Sequence, residues 1–208
     1  MTTYDGKDLK FVPSDGWEGA ILKECIDDYD VGDIPAGRVV DIGAHVGVVS
    51  LYMARKYGCH VDAYEPEPEN YRRLVANVEL NGLGALVAPH NVAITKDGRD
   101  VIIGGTSSIS ADVYTVWGKP VKSITLADIL TSPIGLLKFD CEGAEFEMFT
   151  DLPSLAGRVG AIRGEIHPTQ RHVVKSSEAE HAFRGNEDDL VAALTAVVPN
   201  TRIKILGR

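Results

Sequence analysis

The sequence predicts an α/β fold with a doubly wound, mostly parallel sheet and helices on both faces. Strand-like and helix-like segments alternate along most of the chain, which is the pattern of parallel strands joined by helices. Acidic or histidine side chains stand at the ends of four predicted strands, the edge where such sheets bind ligands. With 208 residues, 44% hydrophobic and 25% charged, the chain is long enough for one large core.

Hydrophobic periodicity and the positions of glycine and proline predict the elements in order. Residues 1–37 are expected to contain a helix over 17–29 and to form a lid or a cover for the sheet edge, followed by one domain over 38–208. The predicted strands are 38–42, 59–64, 85–94, 134–140, 159–166 and 202–206, and the predicted helices are 46–56, 68–81, 125–130, 145–150 and 188–198. Pro89 predicts that its strand is bent or near an edge.

Two further regions depart from the strand–helix alternation. Short β-type runs between residues 101 and 124, separated by glycine, serine and proline, predict a small β insertion near 100–124 that contains a hairpin. The polar segment 175–189 is predicted to be a mobile loop.

The most distinctive local pattern runs from Asp41 to Gly47, at the end of the first predicted strand of the sheet. Gly43 and Gly47 frame a strand-to-helix turn of the kind that brings bare backbone close to a ligand at a helix N-terminus. Glu65 follows Asp41 by 24 residues, near the spacing at which an acidic residue at the next strand end accepts the ribose hydroxyls of a nucleoside cofactor. These residues predict a nucleoside cofactor.

Two cofactor classes compete for this loop. The dinucleotide pattern G-x-G-x-x-G places glycines for a pyrophosphate and for helix packing, whereas this chain has Gly43-x-x-x-Gly47 after Asp41. The difference favours a cofactor without phosphates, such as S-adenosylmethionine, whose amino-acid part can bind main-chain groups. A nicotinamide-dependent oxidoreductase remains the alternative.

Most of the chain, from about residue 39 to 167, resembles the FkbM-type family of S-adenosylmethionine-dependent methyltransferases. The matching segments are 40–47 (VDIGAHVG), 63–68 (AYEPEP), 77–81 (NVELN), 125–130 (TLADIL), 137–145 (LKFDCEGAE) and 164–167 (GEIH). The resemblance implies a Rossmann-like methyltransferase sheet and methylation of a hydroxyl oxygen on a small metabolite or sugar. It also implies a terminal pair of antiparallel strands, for which the 41 residues after His167 are short.

The strand-end positions and the resemblance together predict two groups of site residues. The predicted cofactor-binding residues are Asp41, Gly43, Ala44, His45, Gly47, Glu65, Pro66, Asn91, Val92 and Asp140. The predicted catalytic residues are Asp140, Glu142, Glu165 and His167.

The chemistry of the catalytic group is open between two mechanisms. His167 has the right intrinsic pKa for a general base, and Glu165 and His167 are two apart on a strand and so project the same way. The four groups could instead hold a divalent metal that acidifies the acceptor hydroxyl. We favour base catalysis without a metal, because a histidine beside several carboxylates needs no ion to reach a useful pKa. Glu145 is explained by the helix dipole, and Cys141 by inert packing.

Composition limits the kinds of binding partner and the cellular compartment that we expect. The net charge is −9, and no stripe of Lys or Arg is present to track phosphates, which argues against large nucleic acids. Three cysteines without a C-x-x-C pair argue against disulfides or zinc and fit a reducing cytoplasm. No signal peptide or membrane span is predicted. We expect a small-molecule or carbohydrate acceptor, with a non-catalytic S-adenosylmethionine-binding regulatory module as the alternative.

Overall fold

The computed structural model describes residues 2–4, 7–12, 23, 27–103, 118–167 and 187–206. The strands are β1 Thr2–Tyr4, β2 Lys7–Leu9, β3 Arg38–Ile42, β4 Val61–Tyr64, β5 Val87–His90, β6 Ala93–Ile94, β7 Val101–Ile103, β8 Lys119–Val121, β9 Ser123–Ile124, β10 Ile134–Phe139, β11 Val159–Ile166 and β12 Thr201–Ile205. The helices are α1 Val48–Tyr57, α2 Pro68–Leu80, α3 Leu126–Ile129, α4 Glu145–Met148 and α5 Glu187–Val197, and a 3₁₀ turn covers Leu152–Leu155.

The central sheet has six strands in the order β12-β11-β10-β3-β4-β5, and every neighbouring pair is parallel. The chain builds outward from β3 to β5, then returns to the other side of β3 and builds from β10 to β12. The order therefore reverses between β3 and β10, and a doubly wound sheet binds ligands at such a switch point. The last described strand, β12, lies parallel to β11, and no antiparallel strand adjoins this sheet in the described residues.

Helices cover both faces of the sheet, as predicted. Successive side chains of a strand point to opposite faces, so Val39 joins the hydrophobic cluster that contains α1, while Val40 joins the cluster that contains α3 and α5. The first cluster includes the buried Leu51 and Met53, and the second includes the buried Phe139 and Leu194. Because both faces are covered, β10 is buried at all six positions and reads as a continuous apolar run with one lysine.

Most predicted element boundaries are shifted by one or two residues, whereas the strands 38–42 and 159–166 and the start of the helix at 68 are as predicted. Helix α1 begins at Val48 rather than at 46, because its N-cap Gly47 has the left-handed φ of 89° that glycine adopts without strain. Helix α2 begins at Pro68, where the Glu67 carboxylate accepts the backbone N–H groups of Glu69 and Asn70. The strand predicted over 85–94 is divided into β5, which lies at the sheet edge, and β6.

The predicted β insertion is present in its described part. β7 and β8 pair antiparallel, with Val101 opposite Val121, whereas residues 104–117 lie outside the described residues. Most of the predicted N-terminal helix and most of the predicted loop 175–189 also lie outside them. The loop prediction was wrong at its end, because residues 187–189 form the acidic first turn of α5.

The described part of the N-terminal segment packs against the sheet and α1. Tyr29 is buried in the same cluster as Leu51, and Pro35 lies so close to Gly135 and Gly160 that a β-carbon at either glycine would clash with it. No described helix is long and apolar enough to cross a membrane.

Candidate active site

A cavity of about 650 Å³ opens at the carboxyl ends of β3, β4 and β10, at the switch point of the sheet. This volume includes space that is open to solvent. It is lined by Ile42, Gly43, His45, Tyr64, Glu65, Pro66, Asn70, Val92, Ala93, Ile94, Asp140, Cys141, Glu142 and Ala144. Residues predicted for the cofactor and for catalysis thus meet in one cavity, with Glu65 and Asp140 both in its wall.

The glycine loop forms one side of the cavity through its main chain. The backbone N–H groups of Gly43 and Ala44 both donate to the carbonyl of Tyr64, at 3.0 Å each. Gly43 and His45 have left-handed φ values of 76° and 53°. A β-carbon at Gly43 would lie 1.8 Å from the carbonyl oxygen of Asp140, so the neighbouring strand end requires this glycine independently of any ligand.

Gly47 lies outside the cavity wall. A β-carbon there would lie 2.5 Å from the side chain of Leu74, so this glycine lets α1 and α2 pack closely. Its predicted contact with a cofactor stays a prediction.

Glu65 is the buried carboxylate of the cavity, with 5% of its surface exposed. Its two oxygens accept backbone N–H groups, from His45 at 2.8 Å and from Glu67 at 2.9 Å. Burial raises the pKa of Glu65 to about 7, although these two N–H groups favour the ionised form. A carboxylate has about four acceptor positions, so positions remain for the hydroxyls of a ribose.

Asp41 does not line the cavity either, although the sequence analysis placed it among the cofactor-binding residues. It is fully buried, its Oδ1 lies 3.0 Å from Lys138 Nζ, and its Oδ2 accepts from the Ser50 hydroxyl. Lys138 Nζ also donates to the carbonyl oxygen of Gly43 at 2.9 Å. Asp41 therefore supports the loop through Lys138, a residue that sequence reasoning missed although a lone lysine in a buried strand is an unusual signal.

Of the remaining predicted cofactor residues, two line the cavity and one supports the chain beside it. Pro66 and Val92 line the cavity. Asn91 does not; its amide donates to the carbonyls of Glu65 and Pro66, at 2.9 and 3.0 Å, and so fixes the chain that carries Glu65.

The four predicted catalytic residues come together beyond the carboxyl ends of β10 and β11. His167 Nε2 lies 3.7 Å from Asp140 Oδ1 and 3.6 Å from Glu142 Oε2. Glu165 belongs to the same group, because single ligand atoms of Asp140, Glu165 and His167 lie within 4.8 Å of one another. Asp140 and Glu142 line the cavity, and His167 lies behind them, 4% exposed.

Glu145 also belongs to this group. The sequence analysis had explained this residue by the helix dipole alone. Its Oε1 lies 2.8 Å from His167 Nδ1 and also accepts the backbone N–H of Cys141. The side chain is fully buried. A buried carboxylate that holds one imidazole nitrogen fixes the tautomer and leaves the other nitrogen to act.

The surroundings of His167 alter its pKa. Burial would lower it, but the hydrogen bond and charge of Glu145, with the charges of Asp140 and Glu142, outweigh burial and raise the pKa to about 9. With a pKa of about 9, the imidazole is mainly protonated at pH 7. Burial also raises the pKa of Glu165, helped by the charge of Asp140, and it raises that of the Cys141 thiol, which is consistent with an inert cysteine.

The cavity fits S-adenosylmethionine better than a dinucleotide or a metal. No Lys or Arg lines it in the described part of the chain, so a pyrophosphate would meet carboxylates without a cation, whereas a sulfonium and an ammonium suit an acidic wall. Asp140, Glu165 and His167 are close enough to hold a divalent ion. Such an ion would have to displace the proton from an imidazole with a pKa of about 9.

Comparison with known proteins assigns the chain to a family. Residues 41–187 match the Methyltransferase FkbM domain. The chain is 42% identical to Methyltransferase sdnD of Sordaria araneosa, over 62% of this chain and 66% of that protein, and 26% identical to Methyltransferase 1 of Beauveria bassiana (strain ARSEF 2860), over 60% and 62%. It therefore spans slightly less than two thirds of the length of these relatives.

A solved structure supports the fold. The crystal structure of Methyltransferase FkbM from Methylobacillus flagellatus KT superposes with a TM-score of 0.50 at 13% identity, covering 78% of this chain and 38% of that one. The glycine loop, Glu65 and the segment from Lys138 to Glu145 lie inside the matched residues. The chain belongs to the FkbM family of S-adenosylmethionine-dependent methyltransferases.

Proposed function

We propose that this protein transfers a methyl group from S-adenosylmethionine to a hydroxyl oxygen of a small metabolite or carbohydrate. The observation that carries the proposal is the pairing of His167 with Glu145 directly behind Asp140 and Glu142, in the wall of the cavity that also contains Glu65. Glu65, a buried acceptor for the ribose hydroxyls of the cofactor, and His167, a candidate base, thus lie at the same cavity.

The cofactor end consists of Glu65 and the main chain from Gly43 to His45. Glu65 would accept the ribose hydroxyls, and the loop would hold the amino-acid part through main-chain groups. When bound, the cofactor supplies an electrophilic methyl group on a positively charged sulfur. An apolar part of the cavity wall, which suits an adenine ring, is formed by Tyr64, Val92 and Ile94.

At the acceptor end, His167 acts as the general base. Glu145 accepts the Nδ1 proton, so that Nε2 of the neutral imidazole can take the proton of the acceptor hydroxyl as the new bond forms. Asp140 and Glu142 stabilise the imidazolium that results, since both lie less than 4 Å from Nε2. Because His167 must first be neutral, turnover should rise with pH up to the pKa of about 9.

The carboxylates in the cavity wall also favour one class of methyl acceptor. Carboxylates accept hydrogen bonds, so they suit an acceptor with several hydroxyl groups and disfavour one with phosphate or carboxylate groups. The net charge of −9 likewise disfavours a large nucleic acid. These features support a metabolite or sugar hydroxyl over a phosphorylated acceptor.

The test combines binding with turnover. We expect calorimetry to detect one site for S-adenosylhomocysteine, and we expect labelled S-adenosylmethionine to methylate at least one member of a panel of sugars, polyols, phenols and hydroxy lipids. No binding of S-adenosylhomocysteine would contradict the proposal. Binding without methylation in the panel would favour the alternative of a non-catalytic binding module.

The role of His167 needs separate variants in this assay. His167→Ala should lower kcat and leave the affinity for S-adenosylhomocysteine nearly unchanged, because the proton moves only in the transition state. Equal losses of affinity and kcat would indicate a structural role for His167 instead.

A further inference from the structure

We propose that Lys138 is a positioning residue that holds the glycine loop in its cofactor-binding conformation. This inference rests on the proposed function, because it assigns the loop to S-adenosylmethionine. Lys138 lies on β10 directly opposite Asp41 on β3, and it is 3% exposed. It does not line the cavity, so it acts on the cofactor through the loop.

The contacts of Lys138 explain why a charged residue is kept in the core. Nζ lies 3.0 Å from Asp41 Oδ1 and donates to the carbonyl of Gly43 at 2.9 Å. The Tyr29 ring lies 5.3 Å from Nζ, measured to its centroid. A buried ion pair is weak evidence for a purely stabilising role, since apolar residues of similar volume often stabilise a core as well or better. The contact that an apolar pair could not reproduce is the one to Gly43.

That contact fixes the part of the loop that faces the cavity. Gly43 and Ala44 donate to the Tyr64 carbonyl, and His45 donates to Glu65. Lys138 supplies the opposite constraint by binding the Gly43 carbonyl, so the loop is held from both sides. Without it, the Gly43 peptide could turn, and the N–H of His45 would lose its alignment with Glu65.

Lys138 also acts on Glu65 through its charge, which favours the ionised carboxylate against the effect of burial. Removal of the lysine should therefore raise the pH at which Glu65 becomes ionised. This effect separates positioning from packing, because an apolar replacement that only restores packing cannot restore the charge.

The test uses the full chain with three variants. Lys138→Met removes the charge and leaves Asp41 buried without its cation, so part of its effect will be loss of stability. The double variant Lys138→Met with Asp41→Asn removes both charges and should recover the melting temperature. Lys122→Met is the control, since the Lys122 side chain is 78% exposed and pairs with Asp100 at the surface.

Calorimetry with S-adenosylhomocysteine then gives the answer. We expect the double variant to be folded but to bind about tenfold more weakly, as for one lost hydrogen bond to a charged donor, and its binding to require a higher pH. Wild-type affinity and wild-type pH dependence in the folded double variant would overturn the role of Lys138. If the wild-type protein itself fails to bind, the proposed function fails instead.

Discussion

The two ends of the cavity hold buried titratable groups in opposite ways. At the cofactor end, Glu65 is held by two main-chain N–H groups, and burial raises its pKa to about 7. At the acceptor end, His167 is held by side-chain carboxylates, and they raise its pKa to about 9 despite burial. The cofactor end therefore loses a charge just below neutral pH, whereas the acceptor end keeps one until well above it.

This difference separates the two functions by pH. Cofactor binding needs an ionised Glu65, so it should improve as the pH rises through about 7. Proton removal from the acceptor needs a neutral His167, so it should improve up to about pH 9.

The largest effect is expected at the acceptor end. His167→Ala should lower kcat by roughly 10²- to 10⁴-fold, the usual contribution of a general base, with an unchanged dissociation constant for S-adenosylhomocysteine. His60→Ala is the matched control, because His60 is exposed and stands before β4, at the end of that strand opposite to Glu65. Single-turnover assays with an acceptor from the panel measure the effect; an unchanged rate would remove His167 from the mechanism.

The corresponding change at the cofactor end is Glu65→Ala. The loss of the charged acceptor should weaken the binding of S-adenosylhomocysteine by about 10- to 100-fold, which is the value of one hydrogen bond to a charged group at roughly 1.5–3 kcal/mol. Glu79→Ala, on the exposed side of α2, should have no effect. Calorimetry gives both affinities, and equal affinities in the two variants would reject the ribose-binding role.

A smaller effect is expected from pH alone. Protonation of Glu65 in the free protein should make S-adenosylhomocysteine bind up to about tenfold more weakly for each unit below pH 7, with a plateau above it. Glu65→Gln keeps an acceptor oxygen but cannot ionise, so its affinity should change little with pH. A parallel pH profile in wild type and Glu65→Gln would show that another group titrates.

The smallest expected effect is that of chelation. Because protonated His167 opposes metal binding at neutral pH, EDTA should leave the rate of methyl transfer unchanged within error. Loss of activity on chelation, with recovery on addition of Mg²⁺ or Mn²⁺, would assign Asp140, Glu165 and His167 to a metal site.

The sequence was informative where a function depends on neighbouring residues of one segment. The strand, turn and helix around Gly43 are local, and Glu65 stands at a strand end, so their positions followed from spacing. The sequence was less informative where side chains from separate elements meet. Lys138 contacts Gly43, 95 positions away, and Glu145 contacts His167, 22 positions away; no local pattern gives such pairs.

The size of the pKa shift of His167 could not be predicted either, because it depends on three carboxylates placed by the turn after β10 and by the first turn of α4. The sequence indicated that the turn requires Gly43 and Gly47, but it did not give the full physical reason. Gly43 avoids the Asp140 carbonyl and Gly47 avoids Leu74, and both are contacts between elements.

The most direct test of the comparison is an NMR titration of the His167 imidazole from about pH 5 to about pH 10. The chain has six histidines, and the resonance that disappears in His167→Gln identifies the one required. We predict a midpoint near 9 in the wild-type protein. In Glu145→Gln we predict a clear shift toward or below the ordinary value of about 6.5, because the partner charge is lost while burial remains. A wild-type midpoint at or below about 6.5 would contradict the account.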